Sequence, residues 1–319
     1  MFVHQQGKDL SLIDFCGDLF VQHGIQITKQ SIQERFNDRS VAFMEAVLAR
    51  LLPRQLNAIS ENENLSGFFR VRVKDSTRFA LPGAYSPTYT GPGGVRQKSK
   101  SMIGIQYEYD LLSGNAMDLR LTTGIRNDQL DSKQSTHNIT KNDLFIRDLG
   151  YATLGYLSQI IKQEAYYLNR LGSKVTVFYA DKPEKEVDFA KCDKLIKKHN
   201  LPYLEYEVLL GKKRQYPSRL IIYPVDQATY DKRISKTRRH AKSKGLQVSD
   251  TFKVRSKLTL FITNAGKEKL PTRSIKRIYG LRWQIELTFK IWKSQASVHR
   301  VKNMKIQRFQ CQLIAKLIW

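Results

Sequence analysis

The amino-acid sequence predicts an α/β chain built on a mixed sheet and preceded by a small all-α N-terminal segment. Three observations carry this. Residues 1–60 place apolar side chains at helical spacing. From Phe68 the pattern changes to strict alternation, the mark of half-buried strands. After about residue 140, apolar runs of strand length alternate with helical patterns, as in sheets that carry covering helices.

Within the first segment, "LSLIDFCGDLFVQHG" has helical spacing and stops at Gly24. "ITKQSIQERFN" follows after a short turn, then "VAFMEAVLARLLP", stopped by Pro53. Two readings fit: a helix-turn-helix whose Lys29, Gln30, Gln33 and Arg35 face a DNA groove, or a plain three-helix bundle. "SENENLSG" reads as a linker to a second domain spanning 65–319.

In "FFRVRVKDSTRFALP", Phe69, Val71, Val73 and Asp75 share one face, and Arg70, Arg72 and Lys74 the other. An aspartate at the end of an apolar face is an odd choice for packing alone. "GPGGVRQKSK" (91–100) reads as a basic loop, "MIGIQYEYDLLSG" and "NAMDLRLTTG" as the next two strands of an antiparallel meander, and Asp128 as a helix cap. "DLFIRDLGY" repeats the first pattern: Leu144, Ile146 and Asp148 share a face, ahead of the helix "TLGYLSQIIKQEA". In open α/β sheets, sites gather at the carboxyl ends of strands. Between about 172 and 262 lie the strand-like runs "KVTVFY", "LPYLEYEVLL", "RLIIYPV" and "KLTLFIT", the last expected to rejoin the main sheet. The basic run "DKRISKTRRHAKSK" (231–244) interrupts them. With the charge of the chain behind it, it reads as a contact for the phosphate backbone, through Arg238, Arg239 and Lys242 among others.

The stretch "YGLRWQIELTFKIWK" (279–293) comes last. Read as one helix at about 100° per residue, Tyr279, Arg282, Glu286, Lys290 and Lys293 share an arc of roughly 80°. Leu281, Ile285, Phe289 and Trp292 flank that arc on one side, Trp283, Leu287 and Ile291 on the other. This predicts a helix packed on two sides. Its polar stripe is either a buried ion network or a carboxylate facing a cleft, with cations beside it for an anionic partner.

Composition favours the anionic partner. The 319 residues hold 54 Lys+Arg against 29 Asp+Glu, a formal charge of +25. Such a field suits polyanions, nucleic acid first and an anionic membrane surface second. No apolar run reaches about 18 residues, so a spanning helix is not expected. The N-terminus lacks the layout of a signal peptide, which makes a cytoplasmic, nucleoid-associated protein the expectation. Cys16, Cys192 and Cys311 are far apart and make neither a disulfide framework nor a zinc motif. The 6 histidines are scattered too. Any metal here falls to carboxylates, which points to Mg²⁺ or Mn²⁺.

Tyr279, Arg282, Glu286 and Lys293 have the spacing Y-(2)-R-(3)-E-(6)-K. This resembles the signature of bacterial insertion-sequence transposases of the DDE type, in the superfamily named for insertion sequence four. "DST" at 75–77 and "DLGY" at 148–151 resemble that family's two aspartate motifs, and "ITN" at 262–264 its strand-end motif before the signature helix. The resemblance spans roughly residues 65 to 295. It implies a ribonuclease-H-like catalytic core interrupted after its fifth strand by a mostly β insertion, at about 172–258. It further implies that Asp75, Asp148 and Glu286 bind two Mg²⁺ ions, with Mn²⁺ as a substitute. One ion activates the attacking oxygen and the other stabilises the leaving 3′-oxygen. Tyr279, Arg282 and Lys293 would grip phosphates beside the cut, with Lys290 as a helper. The implied partners are double-stranded DNA, as terminal inverted repeats and target, and a second copy in a synaptic homodimer. No base-holding aromatic for a hairpin step maps onto the sequence. The chain stops within an apolar helical pattern at "QCQLIAKLIW", which raises a second expectation: a truncated relative that binds transposon ends as a repressor.

Overall fold

A computed structural model describes residues 11–51, 65–93, 100–126, 130–131 and 136–318. The expected stop at Pro53, the first part of the linker, most of the 91–100 loop and the Asp128 cap lie outside these residues. The N-terminal helices are α1 (Leu12–His23), α2 (Lys29–Arg35) and α3 (Asp38–Leu51). The meander follows as β1 (Arg70–Leu81), β2 (Ser101–Asp110) and β3 (Ala116–Thr123), then β4 (Asp143–Arg147), α4 (Leu154–Lys162) and β5 (Tyr166–Arg170). The expected insertion supplies β6 (Val177–Tyr179), α5 (Phe189–His199), β7 (Leu204–Leu210), β8 (Tyr216–Pro224), α6 (Gln227–Lys242) and α7 (Asp250–Ser256). The chain ends with β9 (Leu258–Thr263), α8 (Ile275–Gly280), α9 (Trp283–Ser294) and α10 (Ile306–Ile318).

The strands form a mixed sheet in the order β3-β2-β1-β4-β5-β9-β8-β7-β6. β4 and β5 run parallel, and β9 returns antiparallel to β5, as expected of a strand rejoining the main sheet. This is the mixed α/β fold that the sequence predicts. The stretch at 172–258 is richer in helix than a mostly β insertion: α5 packs on the sheet through Cys192 and Ile196, and α6 and α7 add two further helices.

The chain divides into two compact units, Met1–Ile59 with Lys74–Arg126 and Trp283–Trp319, and Ser60–Val73 with Asn127–Arg282. In the first, a capping box opens α1. Ser11 Oγ accepts the Asp14 N–H at 3.1 Å and Asp14 Oδ2 accepts the Ser11 N–H at 3.0 Å. Gly24 closes α1 at φ 65, a left-handed turn that a side chain would strain. Leu12, Ile32 and Phe36 bury themselves with Cys311 of α10. The helices at 1–60 therefore close their core with the C-terminal helix, because three short helices leave an apolar side uncovered. β2 and β3 pair antiparallel, Ile105 opposite Leu121.

In the second unit, Phe145, Tyr167, Leu220, Ile222, Leu260 and Ile262 of the sheet pack on Leu157 and Ile160 of α4 and on Cys192 and Ile196 of α5. A buried cation ties this unit together on the way to α8. Arg219 Nε donates to Glu205 Oε1 at 2.8 Å, and its Nη1 donates to the carbonyls of Ala265 and Leu270. The Thr272 hydroxyl donates to Glu205 Oε2 at 2.6 Å. Burial pushes the Glu205 carboxyl up, but the Thr272 hydrogen bond and the Arg219 guanidinium outweigh it, and its pKa falls below the ordinary 4.5. Such a group stabilises the fold above its unfolded pKa, and that stabilisation is lost as pH falls through the folded value.

Replacing Arg219 leaves the half-buried Glu205 carboxylate to Lys267, 3.6 Å away, and the Thr272 hydroxyl. Arg219→Met should cost about 3–5 kcal/mol in urea unfolding at pH 7. The cost should shrink as pH falls through the pKa of the variant's carboxylate, which the loss of Arg219 raises above the wild-type value. It should stop shrinking once the wild-type carboxylate has protonated, below 4.5.

Candidate active site

β1 delivers Asp75 and shows why its charged face does not lie in water. Val71 and Val73 are fully buried, and so are Arg72 and Lys74 on the opposite face. Buried cations need partners. Arg70 and Arg72 both reach Asp143 Oδ2, at 2.7 and 3.2 Å, and Lys74 Nζ lies 3.1 Å from Asp118 and 3.8 Å from Glu108. Asp75 is only half-buried, and its Oδ1 accepts the Ser76 N–H at 2.8 Å.

Asp148 follows the last residue of β4, where the buried run 143–147 gives way to a turn. Its Oδ1 lies 3.5 Å from the Tyr279 hydroxyl, which points its O–H at the carboxylate. Burial pushes the Tyr279 phenol up to about 12, and the Asp148 charge pushes the same way. The Arg282 and Arg170 cations, with a hydrogen bond from Arg282, pull against them. Tyr279 is held from behind by Phe261 of β9, ring centroids 4.9 Å apart. One aspartate, one tyrosine and two arginines thus converge at the end of the β4–β5 strand pair. Arg170 has no place in the motif, and the sequence reading missed it. Its signal is a cation closing the run "YYLNR", one strand after the aspartate. "ITN" has a structural part here: Asn264 Oδ1 accepts the Tyr167 N–H and its Nδ2 donates to the Ala165 carbonyl, both at 2.9 Å.

The stretch 279–293 is not one helix. α8 ends at Gly280, Leu281 and Arg282 form a turn, and α9 starts at Trp283. Three-residue bonds, Leu281 N–H to Ile278 and Arg282 N–H to Tyr279, replace helical ones there. The single arc therefore breaks after Arg282, and Glu286, Lys290 and Lys293 keep their common face on α9. Nor is α9 packed on two sides. Ile285, Phe289 and Trp292 are buried, Trp292 against Tyr107 of β2 at 5.1 Å. Trp283, Leu287 and Ile291 are 45%, 47% and 50% exposed. Glu286 and Lys293 are half-buried between the two flanks. Partial burial lowers the Lys293 pKa. Lys290 is exposed, its ammonium 4.6 Å from the centroid of the Trp283 ring.

The basic run 231–244 folds mostly into α6. Ile234 anchors it, and Arg233 donates to the carbonyls of Ser256 and Leu258. Arg238, Arg239 and Lys242 stay exposed.

Among the described residues, no three His, Cys, Asp or Glu side chains gather into one group able to hold a metal ion. In chemistry, the donors that the signature offers are half-buried carboxylates, the hard oxygen ligands that Mg²⁺ and Mn²⁺ take. No helix of the described residues is long and apolar enough to cross a membrane.

Residues 66–319 match the family described as the transposase DDE domain, a family that generally uses divalent metal ions. The chain is 31% identical over its whole length to the transposase for insertion sequence element IS231F of Bacillus thuringiensis subsp. israelensis, spanning 69% of that protein. Over 92% of its length it is 30% identical to the transposase for insertion sequence element IS1151 of Clostridium perfringens, spanning 65% of that protein. A solved Mos1 transposase paired-end complex with left transposon end overlaps 87% of the chain at 10% identity and a TM-score of 0.22, too distant to carry an argument.

The raised phenol gives a pH test. A phenol that ionises later in the folded than in the unfolded state weakens the fold as pH rises above the unfolded value. Between pH 10 and about 12, the wild type should lose stability faster than Tyr279→Phe in parallel urea titrations. Equal slopes would place the Tyr279 hydroxyl in water.

Proposed function

The chain belongs to the transposase DDE family, and from there we propose that it cuts double-stranded DNA at the terminal inverted repeats of an insertion sequence. It then joins the freed 3′-hydroxyl ends to target DNA. The observation that supports this best is the Asp148–Tyr279–Arg282 group, in which two motifs 131 residues apart in sequence meet through one hydrogen bond.

In the first step, water attacks phosphorus at the element end, its proton leaves, and the P–O3′ bond breaks to release a 3′-hydroxyl. In the second, that hydroxyl attacks a target phosphodiester, a new P–O bond forms, and the displaced 3′-oxygen takes a proton. Asp75, Asp148 and Glu286 are the residues that would hold two divalent ions, Mg²⁺ with Mn²⁺ as a substitute. Bound there, such ions would supply Lewis-acid stabilisation of the charge that develops at phosphorus. Arg282, fixed by Tyr279, offers its guanidinium fork to two phosphate oxygens. Lys293 adds a point charge about two turns beyond Glu286 and one beyond Lys290, and its desolvated ammonium is well suited to an anion. Tyr279 orients both neighbours. Arg238, Arg239 and Lys242 add phosphate contacts that raise affinity without choosing sequence, and the helices at 1–60 lie on the DNA as well. A second copy completes the synaptic complex in which two ends are paired.

Purified protein on DNA carrying the ends that flank its own gene tests this, in Mg²⁺ and EDTA lanes. Cuts at the element boundary should appear with Mg²⁺ alone. Asp75→Asn, Asp148→Asn and Glu286→Gln should abolish them while leaving end binding largely intact. Binding without cutting in the wild type would favour the end-binding repressor instead. Arg282→Ala should weaken binding of the cut end about tenfold and lower the log-affinity against log-salt slope by about one.

A further inference from the structure

The cations and carboxylates of the signature leave one site unused. A cleft of about 560 Å³ opens in the first compact unit. That volume lies within the roughly 300–1,000 Å³ of clefts that bind small molecules. Two segments far apart in sequence line it, α2 with Leu12 on one side and residues 303–308 on the other. The shared core of Leu12, Ile32, Phe36 and Cys311 holds those segments together.

Lys29 and Arg308 bring two positive charges to the lining, and Glu34, whose carboxylate accepts the Gln30 amide at 3.2 Å, brings one negative charge. Leu12 and Met304 supply an apolar wall. The Gln33 Oε1 is buried and has no hydrogen-bond partner among the described residues, which is costly unless a ligand donates to it. Asn303 offers a second amide at the exposed mouth. A ligand that fits all of this is planar and apolar on its faces, carries N–H donors on its edge, and is joined to an anion.

We infer that this cleft takes one unpaired nucleotide of a DNA strand, its base edge on Gln33 and its phosphate between Lys29 and Arg308. The inference rests on the reading that the chain acts on DNA. A paired base shows only its edges in a groove, so its faces cannot lie against Leu12 and Met304. An unpaired base has free faces and a free Watson–Crick edge, which amide side chains read. The Arg308 guanidinium serves such a base both as a stacking plane and as a charge.

Fluorescence anisotropy of the full chain, titrated onto three labelled probes, decides the matter. The probes are a blunt 30-base-pair duplex, the same duplex with three unpaired nucleotides at one end, and the single strand. Lys29→Ala should weaken the frayed and single-stranded probes about tenfold and the blunt duplex less than twofold. Lys191→Ala, which removes an exposed lysine from α5, should change none of them more than twofold. Gln33→Leu should erase any difference between frayed ends of adenine and of thymine, since only adenine carries an exocyclic amino group. Lys29 is exposed, and an unchanged thermal midpoint would show that its variant is folded. Equal losses on all three probes would mean a groove or general charge contact and would overturn the cleft. DNA binding with Lys29→Ala and Gln33→Leu indistinguishable from wild type would overturn it too, while leaving the transposase reading intact. Failure of the wild type to bind any probe would overturn both.

Discussion

The interaction on which the rest depends is the pairing of buried cations by a small supply of acids. The chain has 54 Lys+Arg and 29 Asp+Glu, so each one-to-one pair spent inside leaves the positive excess outside unchanged and fewer acids there to offset it. Asp143 takes Arg70 and Arg72, Asp118 and Glu108 take Lys74, and Glu205 takes Arg219. These pairs are dear in desolvation, and hydrophobic replacements often do as well for stability. What they do here is fix direction. The Asp143 pairs pin the start of β1, and the Arg219–Glu205 pair with Thr272 pins the segment that leads to α8. Both lie a few residues from an element that carries a signature residue.

The sequence made most of the long or strongly patterned elements visible. α1 and its glycine stop, the alternation of β1, the meander and the β4–α4 unit all appear where their periodicities put them. Three elements were not legible. β5 mixes Tyr, Asn and Arg in five residues, yet it lies inside the sheet between β4 and β9 with Asn169 fully buried. A central strand buried on both faces has no alternation to read. α5, "FAKCDKLIKKH", buries only Cys192, Asp193 and Ile196, and its lysines hide so thin a stripe. α7 is only seven residues long, too short for two full turns to declare a face.

The candidate site was legible in identity but not in geometry. Motif spacing named Tyr279, Arg282 and Glu286, but a spacing of three and four suggests one continuous helix. The chain instead breaks at Leu281 and Arg282, after Gly280, where the cost of glycine in a helix makes a stop cheap. The break turns Arg282 toward Tyr279 and frees α9 to present Glu286 and Lys293 by its own phase. Periodicity could not show this, since a two-residue turn leaves almost no trace in a fifteen-residue pattern. Arg170 was hidden for a different reason: nothing in "YYLNR" says that its end will meet a tyrosine more than a hundred residues later.

Cations on the surface sort by what surrounds them rather than by number. Arg233 and Arg239 lie in the same run and on the same helix, yet Arg233 is spent on the carbonyls of Ser256 and Leu258, and Arg239 faces water. A guanidinium that satisfies carbonyls at a helix end cannot also grip a phosphate. Arg219 is enclosed by carbonyls and a carboxylate, whereas Arg282 lies beside the Tyr279 phenol near the end of the β4–β5 strand pair. Charge that faces water and is not spent on the fold is what an anionic partner can use, and on α6 that is the charge of Arg238, Arg239 and Lys242.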